Sequence, residues 1–150
     1  MANNYLSLHF HLVFSTKHRE RWINPEIESE VWSYLGGICR AHGVKPMIVG
    51  GVEDHVHLLV GMPATLLLSD LMKRLKGESS KWISTKWPML KEFSWQDGYG
   101  GFSIGHSQIG DTVGYIRRQR EHHRKFSFGQ EYRRFVEVHE TPVVEKYLLG

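Results

Sequence analysis

The stretch 44–61 constrains the fold more than any other part of this 150-residue chain. Two short apolar runs, 44–50 and 55–61, are separated by a segment in which Gly50 and Gly51 lead into Glu53-Asp54. Glycines followed by acidic residues between apolar runs mark a turn, so the stretch reads as an antiparallel hairpin. Residues 5–14, YLSLHFHLVF, supply a third strand. Leu6, Leu8, Phe10, Leu12 and Phe14 alternate with Ser7, His9 and His11, the period of a strand with one buried face. Phe102–His106 is a candidate fourth strand.

Helical patterns fill the gaps between these strands. Asn24-Pro25 reads as an N-cap followed by proline at the first helical position. Ile27, Val31, Tyr34, Leu35 and Ile38 then recur at helical spacing, with Gly43 as the stop. A second helix runs from about Leu68 to Trp87 and ends at Pro88. Its apolar stripe is Leu68, Leu71, Met72, Leu75, Trp82 and Ile83. The stretch 89–101 reads as a loop. A third helix starts near Ser107 and carries Ile109, Val113 and Ile116 inward, and a short helix near 129–137 precedes a tail ending in KYLLG. The order strand, helix, strand, strand, helix, strand, helix predicts an α+β sandwich of ferredoxin-like type, an antiparallel sheet with helices on one face, in one domain over 1–150.

Composition narrows the function classes. No apolar run reaches the length of a membrane span, and the N-terminus lacks the order of a signal peptide. One cysteine, Cys39, excludes an intrachain disulfide framework and a multi-cysteine zinc site. The expected location is the cytoplasm. The net charge of +3 permits nucleic-acid binding without demanding it. Its distribution is more telling: Arg117, Arg118, Arg120, Arg124 and Lys125 cluster, and Lys73, Arg74, Lys76, Lys81 and Lys86 recur earlier. These side chains are candidate phosphate contacts or ordinary solvated charges. Trp95 and Tyr99 are candidate stacking platforms for unpaired bases, or core residues.

Two motifs carry chemistry. In His55-Val56-His57 the two imidazoles are two apart in a strand, so both point to one face while Val56 points to the other. Such a pair can converge on a metal ion or sit as two surface histidines. In the third helix Tyr115 and Gln119 are four residues apart and share a face, with Asp111 and His122 along or beside it. If that face meets the histidine strand, two imidazoles, an amide carbonyl and a phenol come together. Two histidines, a neutral amide and water suit Mg²⁺ or Mn²⁺ better than structural zinc. The alternative is an amphipathic helix whose tyrosine packs and whose polar residues are solvated.

The chain resembles the small single-tyrosine HUH transposases of bacterial insertion sequences (TnpA-like) and their repeat-associated relatives. HUH denotes histidine, hydrophobic residue, histidine. The resemblance runs through HLVFSTKHR at 11–19, GGVEDHVHLLV at 50–60 and LMKRLKGESSKWI at 71–83. It continues through FSWQDGYGGFSIGHS at 93–107 and YIRRQREHHRKFSF at 115–128. The pairing of HVH with YIxxQ about sixty residues later is specific. One departure is Arg118, where many family members carry asparagine.

The resemblance implies a metal-dependent tyrosine transposase that is also a single-strand endonuclease and strand transferase. Its nucleophile would be Tyr115 and its metal ligands His55, His57 and Gln119. It also implies cleavage and rejoining of single-stranded, hairpin-bearing DNA through a 5′-phosphotyrosine, in a nucleoid-associated protein. It implies a homodimer with shared active sites as well, the glycine-containing stretch 98–111 letting the tyrosine helix reach across. The base remains open between His122 and Asp111. Two other readings are a domesticated endonuclease that processes repeated palindromes, and a ferredoxin-like nucleic-acid-binding module without catalysis.

Overall fold

The computed structural model describes residues 4–139. Four strands form one sheet: β1 (His9–Ser15), β2 (Lys45–Val52), β3 (His55–Gly61) and β4 (Gly100–Ile104). Their order is β2-β3-β1-β4, and every neighbouring pair is antiparallel. The β2–β3 hairpin turns at Glu53-Asp54, as its glycine and acidic residues require. The other two connections each skip over a strand and carry a helix, α1 (Glu28–Ala41) and α2 (Leu68–Lys86). This interleaving is the ferredoxin-like α+β arrangement expected from the element order.

Local chemistry sets the helix ends. The Asn24 side chain accepts from the Glu26 amide at 3.0 Å, and its carbonyl accepts from Ile27 and Glu28. Asn24-Pro25 thus starts a turn that becomes regular helix at Glu28. α1 stops before Gly43, whose φ of 74° is a left-handed value open to a residue without Cβ. α2 ends at Lys86, one residue short of the expected Trp87, which caps it before Pro88.

The main core lies between the sheet and the α1–α2 layer. Leu12, Phe14, Val56, Leu58 and Val60 meet Val31, Leu35 and Ile38 of α1 and Leu71, Met72, Leu75 and Ile83 of α2. Each such side chain contributes about 1.5–3 kcal/mol relative to exposure. The loop after α2 is tied down by Lys76, whose Nζ donates to the carbonyls of Gln96 and Gly98 at 2.8 and 2.5 Å.

A further layer covers the other sheet face. It comprises α3 (Ile109–Arg117), the single turn α4 (Gln119–His122) and α5 (Phe128–Val138). Val13 and Phe102 of the sheet pack with Phe128, Tyr132 and Val136 of α5. This layer is why β1 is buried on both faces: His11 is 2% exposed, although the alternation of Ser7, His9 and His11 reads as a strand with one buried face. β1 also begins later than the pattern 5–14 suggested. β3 and β4 end opposite His9, so Leu6 and Leu8 have no strand to pair with and remain exposed. The same register ends β4 at Ile104, two residues before the expected His106. The tail KYLLG lies outside the described residues.

A histidine, glutamate and tyrosine cluster on the sheet

His55 and His57 emerge from β3 on the face opposite Val56 and Leu58, and both are fully buried under α3–α5. Glycines let that layer approach. Gly50 pairs with His57 across the β2–β3 ladder, and a Cβ there would stand 3.1 Å from Ile116 of α3. A Cβ at Gly51 would overlap the His55 carbonyl oxygen at 2.2 Å. Gly50 is therefore the seat of the tyrosine helix, while Gly51 is required by the tight approach of the hairpin's own backbone.

α3 ends at Arg117, and Arg118 separates it from the turn Gln119–His122. Despite this break, Tyr115 and Gln119 both face the histidine strand. Gln119 Oε1 lies 3.0 Å from His55 Nε2, and the Gln119 amide donates to Glu131 Oε2 at 3.1 Å. The Tyr115 hydroxyl donates to Glu131 Oε2 and lies 3.2 Å from His122 Nε2. The structure thus brings Tyr115, His55, His57, Gln119 and His122 together within one chain. Asp111 sits exposed on the rim of the adjoining cleft, one helical turn before Tyr115.

The cluster's centre is a residue that spacing rules did not single out. Glu131 of α5 is 4% exposed, and its Oε1 lies 2.9 Å from His57 Nε2, 3.5 Å from His55 Nε2 and 3.2 Å from His123 Nε2. Glu131 stands three after Phe128 and one before Tyr132, on the buried stripe of α5. A lone acidic residue in an apolar helical stripe is the signal that would have found it. The outer ring atoms are also held. His55 Nδ1 meets Asp54 Oδ1 at 2.7 Å, His57 Nδ1 meets His11 Nε2 at 2.8 Å, and His123 Nδ1 meets the Phe126 carbonyl at 2.7 Å.

These contacts determine the charges. Burial would raise the pKa of Glu131, but the imidazoles of His57, His123 and His55 hold it far below the usual carboxylate range. Burial holds His57 below the ordinary imidazole value despite the pull of Glu131, and holds His11 well below it, with His57 adding to the effect. His122 is lowered, again chiefly by burial. His123 is raised, because Glu131 outweighs burial. Tyr115 is pushed well above the ordinary phenol value by burial first and the Glu131 carboxylate second. Asp54 is lowered because its bond to His55 outweighs burial.

The donor set fits a metal ion. His55, His57, His123 and Glu131 present ligand atoms within 4.8 Å of one another. His123 Nε2 is buried and has no hydrogen-bond partner among the described residues. With Nδ1 of His55 donating to Asp54, Nε2 is left as a lone pair facing the Gln119 carbonyl oxygen. Two acceptors at 3.0 Å repel unless a proton or cation lies between them.

The basic residues separate into groups. Arg117, Arg124 and Lys125 are exposed in the α3–α5 segment, and Lys125 lines a shallow cleft with Tyr115. Arg120 is engaged otherwise, donating to Glu53 at 2.5 Å and Glu28 at 3.0 Å. That clamp ties α4 to α1 and the hairpin turn. Lys73, Arg74 and Lys81 are exposed on α2, in the layer across the sheet, so they do not line the tyrosine cleft. Lys76 is spent on the loop carbonyls already described. Trp95 is buried and donates to Ser79, which makes it core. Arg118 and Arg134 do line the cleft beside Tyr115, a space of about 1100 Å³.

An antiparallel α+β sandwich that buries two strand histidines against a tyrosine helix defines the class. The chain belongs to the IS200-like transposase family, whose pattern matches residues 4–119. It is 30% identical over 88 residues to the ISDra2 transposase TnpA of Deinococcus radiodurans, covering 59% of this chain and 63% of that one, just under two thirds. It is 29% identical over 127 residues to the transposase for insertion sequence element IS200 of Salmonella typhimurium, covering 81% and 82%. A candidate transposase structure from Deinococcus radiodurans superposes with TM-score 0.62 at 23% identity, over 79% of this chain and 96% of that one. A REP-associated tyrosine transposase bound to a REP hairpin gives TM-score 0.61 at 13% identity, over 82% and 73%. Among the described residues no helix is long and apolar enough to cross a membrane.

Proposed function

We propose that this transposase cleaves and rejoins single-stranded, hairpin-bearing DNA through a 5′-phosphotyrosine on Tyr115, with a divalent ion held by His55, His57 and Gln119. The observation that carries the reading is the meeting of a half-buried phenol with that donor set beside an open cleft. The solved relative with a bound hairpin is consistent with the substrate class.

The chain's residues account for the steps. Arg118 and Arg134, with Arg117, Arg124 and Lys125 nearby, attract the phosphate backbone into the cleft. The phenol is kept protonated by burial and by Glu131 until substrate arrives. His122, neutral because burial lowers it, stands 3.2 Å from the hydroxyl and accepts its proton. Tyr115 Oη then bonds to phosphorus, the bond from phosphorus to the 3′ oxygen breaks, and that oxygen leaves as a 3′-OH after taking up a proton. Attack by a different 3′-OH reverses these steps and joins new strands, so no nucleotide cofactor is consumed. A bound Mg²⁺ or Mn²⁺ would supply charge neutralisation at a non-bridging phosphate oxygen.

A homodimer belongs to this reading, with each site completed inside its own chain. The Arg120 clamp supports that arrangement, because it fastens α4 to the chain's own α1 and hairpin turn. Two experiments test the proposal. Labelled single-stranded hairpins incubated with Mn²⁺ should give a denaturation-resistant protein–DNA adduct that Tyr115→Phe abolishes while DNA binding persists. Full cleavage by Tyr115→Phe would reject the nucleophile. Mixing Tyr115→Phe with His57→Ala should restore nothing if sites are complete within one chain. Recovery on mixing would restore the shared-site arrangement.

A further inference from the structure

The buried carboxylate of Glu131 needs an explanation that the phenol and amide do not provide. Taking a carboxylate out of water costs several kcal/mol unless charge and hydrogen bonds compensate. Glu131 is surrounded by imidazoles, and in neutral form these compensate only through N–H groups. For His55 and His123 the N–H groups point away. The Nδ1 atoms of His55 and His123 donate to Asp54 and to the Phe126 carbonyl, while Nδ1 of His57 lies 2.8 Å from His11 Nε2, a contact that either ring can donate. Three Nε2 atoms therefore face one carboxylate oxygen, Oε1, at 2.9, 3.2 and 3.5 Å. Two ring lone pairs and a third imidazole nitrogen gathered on one carboxylate oxygen make the donor arrangement of a cation site. Ligands about 2.1 Å from a common ion lie no more than about 4.2 Å apart, close to the 4.8 Å that bounds this set.

We propose that Glu131 and His123 are themselves ligands of the ion held by His55 and His57, so that α5 closes the metal site and supplies a negative charge to it. The inference rests on the metal reading above and adds two ligands to it. The two oxygens of Glu131 divide the work. Oε1 faces the imidazoles, while Oε2 receives the Tyr115 hydroxyl and the Gln119 amide. One carboxylate thereby fixes the distance between ion and nucleophile. Three imidazoles and a carboxylate also favour Mn²⁺ over Mg²⁺, which prefers an all-oxygen octahedral shell.

Manganese itself is the probe, with no DNA present. Mn²⁺ is titrated into the metal-free protein, free ion is read by its electron paramagnetic resonance signal, and coordinated nitrogen is counted by electron spin echo modulation. The wild type should bind one Mn²⁺ with three coordinated nitrogens and with preference over Mg²⁺ in competition. His57→Ala should abolish binding. Glu131→Gln and His123→Gln should each weaken it by at least about tenfold, and His123→Gln should leave two nitrogens. Wild-type affinity in Glu131→Gln, or two nitrogens in the wild type, would overturn the inference and leave the histidine site standing. Wild-type affinity in His57→Ala would instead reject the metal reading itself. Circular dichroism and metal-free melting establish that each variant folds. If Glu131→Gln does not fold, the nitrogen counts of the wild type and His123→Gln decide.

Discussion

Replacing Gly50 by alanine tests how closely the tyrosine helix must approach the sheet. Gly50 faces His57 across the ladder, and its added methyl would lie 3.1 Å from both Ile116 Cγ2 and the Ile116 carbonyl oxygen. The methyl of Ile116 can lean away, but the carbonyl belongs to the last turn of α3 and yields only if the helix lifts. The lift needed is a few tenths of an ångström. Overpacking of this kind costs about 1–3 kcal/mol, of which about 0.4–1 kcal/mol is offset by the stiffer unfolded chain. A net loss of about 1–2 kcal/mol corresponds to a melting point lower by roughly 2–8 °C in a chain this size. Tyr115 adjoins Ile116 and moves with it, so adduct formation should slow by up to about tenfold, since a 1 Å misplacement costs roughly a hundredfold. Gly77→Ala is the control, because nothing lies within 4 Å of its added methyl in the middle of α2. It should stabilise by about 0.5–1 kcal/mol. Differential scanning calorimetry and single-turnover adduct formation measure both effects. A Gly50→Ala protein with wild-type melting and wild-type rate would refute the packing argument.

Acid should destabilise the metal-free protein below about pH 6.5. Burial lowers His11 and His57 in the folded state, so the unfolded chain binds more protons there, and their contribution, complete above pH 6.5, is lost as pH falls. His123, which is raised, opposes this, so two buried histidines outweigh one; a urea midpoint in EDTA that is flat or rises from pH 7.5 to 5.5 would contradict the prediction. Arg120→Ala should lower stability by about 0.5–1 kcal/mol, a modest figure because the guanidinium is 43% exposed. It should leave the salt dependence of DNA binding unchanged, and a slope reduced by about one would reassign Arg120 to a phosphate. Cys39, pushed up to about 11 by burial, should resist a thiol reagent at pH 8 until the protein unfolds, and rapid native labelling would contradict its packing.

The sheet and half of the cluster were legible because their rules are local. Two residues apart in a strand, and four apart in a helix, are fixed by backbone geometry, so His55 with His57 and Tyr115 with Gln119 could be paired before any tertiary contact was known. The same reasoning could not see Glu131, His123 or His11, which reach the cluster from other segments. Glu131 is 74 residues from His57 in sequence and touches it only because α5 crosses the sheet. The second covering layer was missed for a related reason. His11 marks a solvated face when read by polarity alone, and only the arrival of Phe128, Tyr132 and Val136 buries that face. Charge was the least legible property. Arg120 and Lys76 are indistinguishable in sequence from their neighbours, yet each is committed to holding the fold together.

Because α5 lies at the far end of the described chain, the cluster has an order of completion in time. The ribosome adds roughly 5–20 residues per second, so the 74 positions between His57 and Glu131 take on the order of 4–15 s. During that interval β1, β2 and both sheet histidines are already made and β4 is added, while the carboxylate that gathers them is still unsynthesised. A nascent or prematurely terminated chain can pair its strands and bury its main core without ever acquiring the acidic centre of its site. Message truncated before residue 131 would then yield a protein with the outward form of its family and none of the charge at its heart.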